Sequence, residues 1–464
     1  MDARETPPHQ GFGIIRENLY RPAKRILCVL FTFPPGSLPC FSLPIPKMTT
    51  CHHPTVRKSA IAMIPVICFT MLSAAIAAPS MPASPELSIK RFHEKALKKE
   101  PLNIVFFGGS LTWGANASDP QTTSYRGLMM RWLREKYPKT PMTFHDAAIG
   151  GSGSQLGMFR LERDVLAHKP DLVFLDFTVN DGAEDTDVQA LGSYERIVRE
   201  LLANKAMVMP VLMMFRGHAE KLDDPLPPRH LAHQKLADAY HLPAANTIPY
   251  VRGKVREGTA IKTIWPLDGA HPDDPGYRLF FEAVRDRYDQ AIEETTSAML
   301  PKEPVFDNLY PKRTRSLLVN GQLPQGWTRE KTYRTALWFD GLSSRWMGDV
   351  ACASAAKNPG SLEVEFEGSM VGFFGERSGL TPPVKVWIDG KPVRAPKAKE
   401  GDFLWPLDTS KIARPMKGSG NLFLWQSLAS DLPAGKHTLR IEPVWEGADK
   451  DAELRIESIC SAGR

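Results

Sequence analysis

Four short apolar runs, at 102–107, 142–148, 172–177 and 206–215, alternate with stretches at 126–137, 156–168, 190–204 and 230–240 in which apolar residues recur every three or four positions. A strand that is apolar along its whole length has both faces buried, and helices between successive strands supply that cover. The alternation therefore predicts a parallel sheet in a three-layer α/β domain. A last helix is marked by Asp274, read as its cap, by Pro275 in its first turn, and by an apolar stripe of Tyr277, Phe280, Phe281, Val284 and Tyr288. This domain is expected to close near residue 300.

After Lys302 the pattern changes. Short runs at 361–366, 370–375, 384–388, 421–426, 437–441 and 453–459 are punctuated by Pro and Gly. Leu362-Glu363-Val364-Glu365-Phe366 alternates with period two, and Asp389-Gly390 marks a turn between 384–388 and 391–393. Residues 303–464 are thus expected to form a β-sandwich. Its Trp338, Trp346, Trp405, Trp425 and Trp445 read either as core or as platforms for sugar rings.

Residues 48–77 read as a signal peptide: Arg57 and Lys58 precede an apolar stretch from Ala60 that ends in Ala75-Ile76-Ala77. An uncleaved anchor is the alternative, disfavoured by Pro65 and the small-residue end. The mature chain would start near Ala78 and be secreted or periplasmic. Residues 1–47 are Pro-rich and unpatterned, which suggests translation from Met48. Residues 1–77 hold eight Lys/Arg against three Asp/Glu, so +5 of the formal net charge of +6 lies there and about +1 remains. That balance gives no electrostatic case for nucleic acid or an anionic membrane as a partner. Cys28, Cys40, Cys51 and Cys68 would leave with the N-terminal segment. Cys352 and Cys460 then read as a disulfide, or as two buried thiols.

Four turns carry the chemistry. Ser110, in Gly108-Gly109-Ser110-Leu111-Thr112-Trp113-Gly114, follows the first apolar run directly. Ala148-Ile149-Gly150-Gly151-Ser152-Gly153 follows the second and Thr178-Val179-Asn180-Asp181 the third, and Asp268-Gly269-Ala270-His271-Pro272 precedes the last helix. Open α/β sheets bind ligands at the carboxyl ends of their strands, so turns that are commonplace singly converge on one cleft. A serine hydroxyl needs an imidazole base, and the base needs an acceptor to hold its tautomer. His271 and Asp268 supply both, while an exposed glycine amide and the Asn180 amide offer donors to a developing oxyanion. A metal site at Asp268, His271, Asp273 and Asp274 would compete for the same base, and no cofactor is needed. His218, His230, His233 and His241 read as surface or packing residues. Ser110 lacks the Gly-x-Ser-x-Gly elbow, which counts against the α/β-hydrolase fold.

In order and chemistry the blocks resemble the SGNH hydrolases, or GDSL esterases, over roughly residues 102–290. The resemblance implies a flavodoxin-like three-layer sheet spanning 78–300, followed by the sandwich, jelly-roll-like in general pattern. It makes Ser110 the nucleophile, His271 the base and Asp268 its partner. Gly151, taken in preference to Gly150, and Asn180 become oxyanion donors with the Ser110 amide. Gly109 stands where the family has Asp, and Thr178 where Gly is usual. Family members with such companion domains imply an O-acetylesterase acting on acetylated oligo- or polysaccharide. The alternatives are a lipase or thioesterase on longer acyl chains, and a binding protein with a degenerate hydrolase domain. Amino-terminal sequencing of exported protein is expected to begin at or next to Ala78; a start well upstream would contradict the leader.

Overall fold

Strand β1 (Leu102–Gly108) is buried except at Asn103. It lies between β2 (Met142–Asp146) and β3 (Leu172–Asp176), and β4 (Met207–Leu212) and β5 (Ala245–Asn246) complete a parallel sheet of order β2-β1-β3-β4-β5. The computed structural model describes residues 87–306, 310–333, 343–396, 398–407 and 422–463, all within one compact unit. The leader at 48–77, its flanks at 1–47 and Ala78, the four N-terminal cysteines and Trp338 lie outside them. Every residue of β3 and β4 is buried, which accounts for runs that are apolar without alternation. This is the flavodoxin-like order expected above.

The chain crosses one way from β1 to β2 and the other way thereafter. Right-handed crossovers therefore put the helix between β1 and β2 on one face and the helices of the later crossovers together on the other. In chain order they are α1 (Ile89–Leu97), α2 (Ser110–Trp113), α3 (Tyr125–Lys136), α4 (Ser154–Asp164), α5 (Val188–Ala203), α6 (Arg216–Glu220), α7 (Pro228–Ala239), α8 (Thr247–Arg256), α9 (Ile261–Ile264) and α10 (Asp274–Glu293). The long helix α10 packs on α1, α3 and α8, while α5 packs on α4 and α7. Side-chain caps fix several starts, with Ser124, Asp187 and Asn246 accepting from amides of α3, α5 and α8. One expected cap is different. Asp273 occupies the cap position of α10, and the Asp274 carboxylate instead takes the Ser118 N–H at 2.8 Å and the Thr123 hydroxyl at 2.7 Å.

The remainder is antiparallel. One sheet joins β14 (Leu422–Ala429), β10 (Met370–Arg377), β16 (Glu453–Gly463), β8 (Val350–Ser354) and β7 (Thr328–Glu330), with β6 (Lys312–Leu317) also on β16. The other joins β12 (Lys391–Val393), β11 (Val384–Ile388), β15 (Lys436–Pro443) and β9 (Leu362–Glu367), with β13 (Leu404–Trp405) on β11. Phe373, Leu424 and Ile456 of the first meet Val386, Leu439 and Ile441 of the second in a shared core. Strands β6 and β8 were not anticipated, because Lys312–Leu317 is charged and Val350–Ser354 is short and built of small residues.

The outer face of the first sheet is not free. Met370, Phe374, Cys460 and Ala462, with Trp346 at the end of the short helix α11 (Ser343–Trp346) and Met347 after it, belong to the same apolar cluster as the α/β core. The tryptophans are used accordingly. Trp346 and Trp405 are buried, Trp425 and Trp445 are partly buried against the cores, and the last three spend their indole N–H on Val393 O, Gln155 Oε1 and Pro359 O. Among the described residues no helix is long and apolar enough to cross a membrane.

The disulfide expectation is overturned. Cys352 lies opposite Arg455 on β16, five residues from Cys460 along that strand, so strand geometry holds the two sulfurs far apart, and both are buried and free. Burial pushes their thiols up, to about 11 and about 12. Alkylation without reductant is expected to label both cysteines fully in denaturant and neither in the native protein, as read by peptide mass; a disulfide-linked peptide would contradict this.

Candidate active site

Strand β1 ends at Gly108, Gly109 caps the single turn α2, and Ser110 is its first residue, 8% exposed. First-turn amides have no acceptor within a helix, so the Ser110 N–H remains available to a ligand. Gly109 has no room for a side chain: a Cβ there would stand 2.0 Å from Asn180 Oδ1 and 3.5 Å from Nδ2. Asn180 is laid directly against the backbone preceding Ser110, with its Nδ2 the end turned away.

His271 Nε2 lies 2.8 Å from Ser110 Oγ, and Asp268 Oδ2 lies 3.3 Å from His271 Nδ1, at the long end of hydrogen-bond range. Asp268 Oδ1 accepts the N–H groups of Ala270 and His271, each at 2.7 Å, which folds the loop so that both side chains face the same way. Burial opposes the ionisation of Asp268, but hydrogen bonds from His271 and the loop amides outweigh it and hold the carboxyl well below the usual carboxylate range.

Ile149 to Ser152 form a closed turn, with Ser152 N–H on Ile149 O at 3.1 Å. Gly151 has φ +78°, a left-handed value that suits glycine at the third position of a type II turn. It is exposed, and a Cβ there would meet nothing within 4 Å, so its conformation rather than crowding selects glycine. The third block carries its departure easily. Thr178 is buried, and its hydroxyl lies 3.1 Å from Nδ1 of the equally buried His233. His230 is buried too and donates to Met213 O at 2.6 Å, whereas His241 is exposed. The structure thus brings Ser110, Asn180, His271 and Asp268 together, with Gly151 in the turn following β2.

Three positioning groups were not singled out in the sequence. Asn116, at φ +71°, donates Nδ2 to Asp268 Oδ2 at 3.0 Å and to His271 O at 3.2 Å, tying the loop after Ser110 to the Asp-His loop. Arg229, fully buried, donates to Asp181 O at 2.8 Å and to Gly182 O at 3.3 Å behind Asn180. Asp176, the last residue of β3, is buried under α2 and accepts from Thr112 Oγ1 at 3.1 Å. Its other oxygen has no partner among the described residues, and burial raises its pKa to about 7. None of these contacts has a local signature: Asn116 and Asp268 are 152 residues apart. Among the described residues no cluster of His, Cys, Asp or Glu is arranged to hold a metal ion.

Residues 106–279 match the model of the GDSL-like lipase/acylhydrolase family. The chain is similar in structure to a two-domain esterase (CEX) active on acetylated mannans, with a TM-score of 0.62 and 23% identity over 81% of this chain and 95% of that one. The same esterase co-crystallised with mannopentaose gives 0.64 at 23% identity over 81% and 94%. At that identity the likeness establishes the fold. Axe2, an acetylxylan esterase from Geobacillus stearothermophilus, is matched over 42% of this chain and 97% of its own, with a TM-score of 0.33 and 19% identity. No curated protein sequence matches the chain.

Two outcomes are expected. Asn116→Ala removes a donor from the aspartate behind the base and should lower kcat roughly tenfold with KM little changed in steady-state kinetics. Asp176 binds its proton more tightly folded than unfolded, so its contribution to stability is complete below about pH 4 and lost as pH rises through about 7. Denaturant midpoints of Asp176→Asn should therefore fall less between pH 5 and pH 8 than those of the wild type; parallel curves would show that Asp176 is not protonated in the fold.

Proposed function

We propose, taking residues 106–279 as a domain of the GDSL-like lipase/acylhydrolase family, that the protein is an exported serine esterase that removes acetyl groups from carbohydrate. The observation that carries this reading is the 2.8 Å contact between Ser110 Oγ and His271 Nε2. His271 takes the hydroxyl proton as Ser110 attacks the ester carbonyl. The N–H groups of Ser110 and Gly151 and the amide of Asn180 hold the oxyanion, Asp268 stabilises the imidazolium, and the alcohol leaves with the proton from His271. Water, deprotonated by the same imidazole, then attacks the acyl-enzyme and frees the acid and Ser110. No step calls for a metal or an organic cofactor.

An acetylated oligo- or polysaccharide as substrate is supported by the companion domain. The esterase active on acetylated mannans is likewise two-domain, and its match covers 81% of this chain and 95% of that one, which supports reading both parts together. The leader at 48–77 would deliver the enzyme to such material outside the cytoplasm, and 78–300 and 303–464 would form the mature two-part enzyme. Ser110→Ala is expected to cut hydrolysis of para-nitrophenyl acetate by about a thousandfold or more. Acetate should be released from acetylated mannan or xylan, and short acyl esters should turn over fastest. Unchanged hydrolysis in Ser110→Ala would remove the nucleophile assignment, and a preference for acyl chains of about eight carbons or more would favour a lipase pocket instead.

A further inference from the structure

The short helix α11 projects from the β-rich region onto the end of β2, immediately before the turn that carries Gly151. Its Trp346 is 3% exposed, and the guanidinium of Arg160 lies 5.0 Å from the indole centroid and 5.3 Å from that of Phe107. Arg160 donates to Ala147 O at 2.9 Å and to Asp164 Oδ2 at 2.8 Å. The residue before Trp346 grips the adjacent position: Arg345 Nη2 reaches Asp146 Oδ2 at 2.6 Å and Asp146 O at 3.1 Å.

Asp146 faces both halves of the site. Its Oδ1 accepts the Ala148 N–H at 3.0 Å, at the start of the Ile149–Ser152 turn. Its Oδ2 lies 3.5 Å from Nη2 of Arg126, which is 2% exposed. Arg126 in turn donates to Thr112 O at 3.4 Å and to Trp113 O at 3.3 Å, the carbonyls of the turn that Ser110 opens. A buried guanidinium needs a fixed counter-charge, and a carboxylate held from one side by Arg345 is fixed for Arg126 on the other.

We propose that Arg345 is a positioning residue of the esterase site: through Asp146 and Arg126 the β-rich region sets the nucleophile turn and the glycine turn against each other. This rests on the reading of Ser110 as nucleophile. Arg345 itself touches no reacting atom. The β-rich region is on this account a structural part of the catalytic centre, whatever it binds elsewhere.

The test uses the full chain and two readouts, kcat and KM on para-nitrophenyl acetate and the rate at which a fluorophosphonate labels Ser110, with thermal midpoints as a control for folding. Arg345→Gln is expected to lower kcat and the labelling rate by roughly ten- to a hundredfold with KM within about threefold, because misplacement at a distance costs on that order. Arg345→Lys keeps the charge but loses the two-point grip and should fall between. Gln189→Ala, which removes a hydrogen bond between α5 and Ser430 elsewhere on the same boundary, should match the wild type. The proposal is overturned if Arg345→Gln, or Arg345→Lys should the first variant not fold, equals the wild type in both readouts. It is also overturned if Gln189→Ala falls alongside them. Wild-type protein that labels at Ser110 without hydrolysing the ester would sink the esterase reading instead, and the labelling rates of the variants would still decide the role of Arg345.

Discussion

The parallel register of β1 between its neighbours sets everything at the site edge. Phe106 is paired with Asp146 on β2 and Gly108 with Asp176 on β3. The ladder continues past β2, with Ala147 N–H on Phe106 O at 2.9 Å and Ile149 N–H on Gly108 O at 3.0 Å. The glycine turn therefore leaves the sheet level with the end of β1, where Gly109 turns the chain and Asn180 fits against it. A strand advances about 3.3 Å per residue, so a slip of one position would exceed the reach of every hydrogen bond in the site.

The strands bring the turns to one edge, and buried polar groups hold them in shape. Arg126 fixes the carbonyls after Ser110, Arg229 those after Asn180, and Asp274 the loop between Ser110 and α3. Two buried guanidinium groups and a helix-terminal carboxylate thus do for irregular backbone what a ladder does for strands: they satisfy groups that the fold has removed from water. The geometry at Ser110 depends on residues from β2, β3, α3, α7, α10 and α11, which is why so little of it is local.

How much of this was legible follows from the range of each interaction. The strands β1, β3 and β4 were readable because double-sided burial leaves an apolar run, whereas β2 is an edge strand with no fully buried residue. The four chemistry-bearing turns were readable because each sits at a strand end or helix start. The parallel α/β class followed from the same alternation, whereas the order β2-β1-β3-β4-β5 was implied only by the resemblance to the SGNH hydrolases. Asn116 was not readable, since its partner lies in a loop 152 residues on. Asp274 looked like a cap because local sequence reports only local partners, while its carboxylate is spent on Ser118 and Thr123. Cys352 and Cys460 invited pairing on number alone, and only the register of β8 on β16 separates them. The shared core around Met370, Phe374 and Trp346 escaped notice for a related reason: period-two alternation identifies a face to be buried but not what covers it.

Among the described residues strand β9 closes one end of its sheet, paired with β15 on one side only. An unpaired strand edge is a template on which another chain can add itself, and proteins that meet high concentrations or foreign surfaces have to disarm it. The alternation that marked this strand in the sequence supplies the means. Leu362 and Phe366 are committed inward, and Glu363, Glu365 and Glu367 stand exposed along the same short length. Two copies approaching edge to edge would bring six carboxylates together, so the period-two pattern that builds the sandwich also keeps its open margin from recruiting a second one.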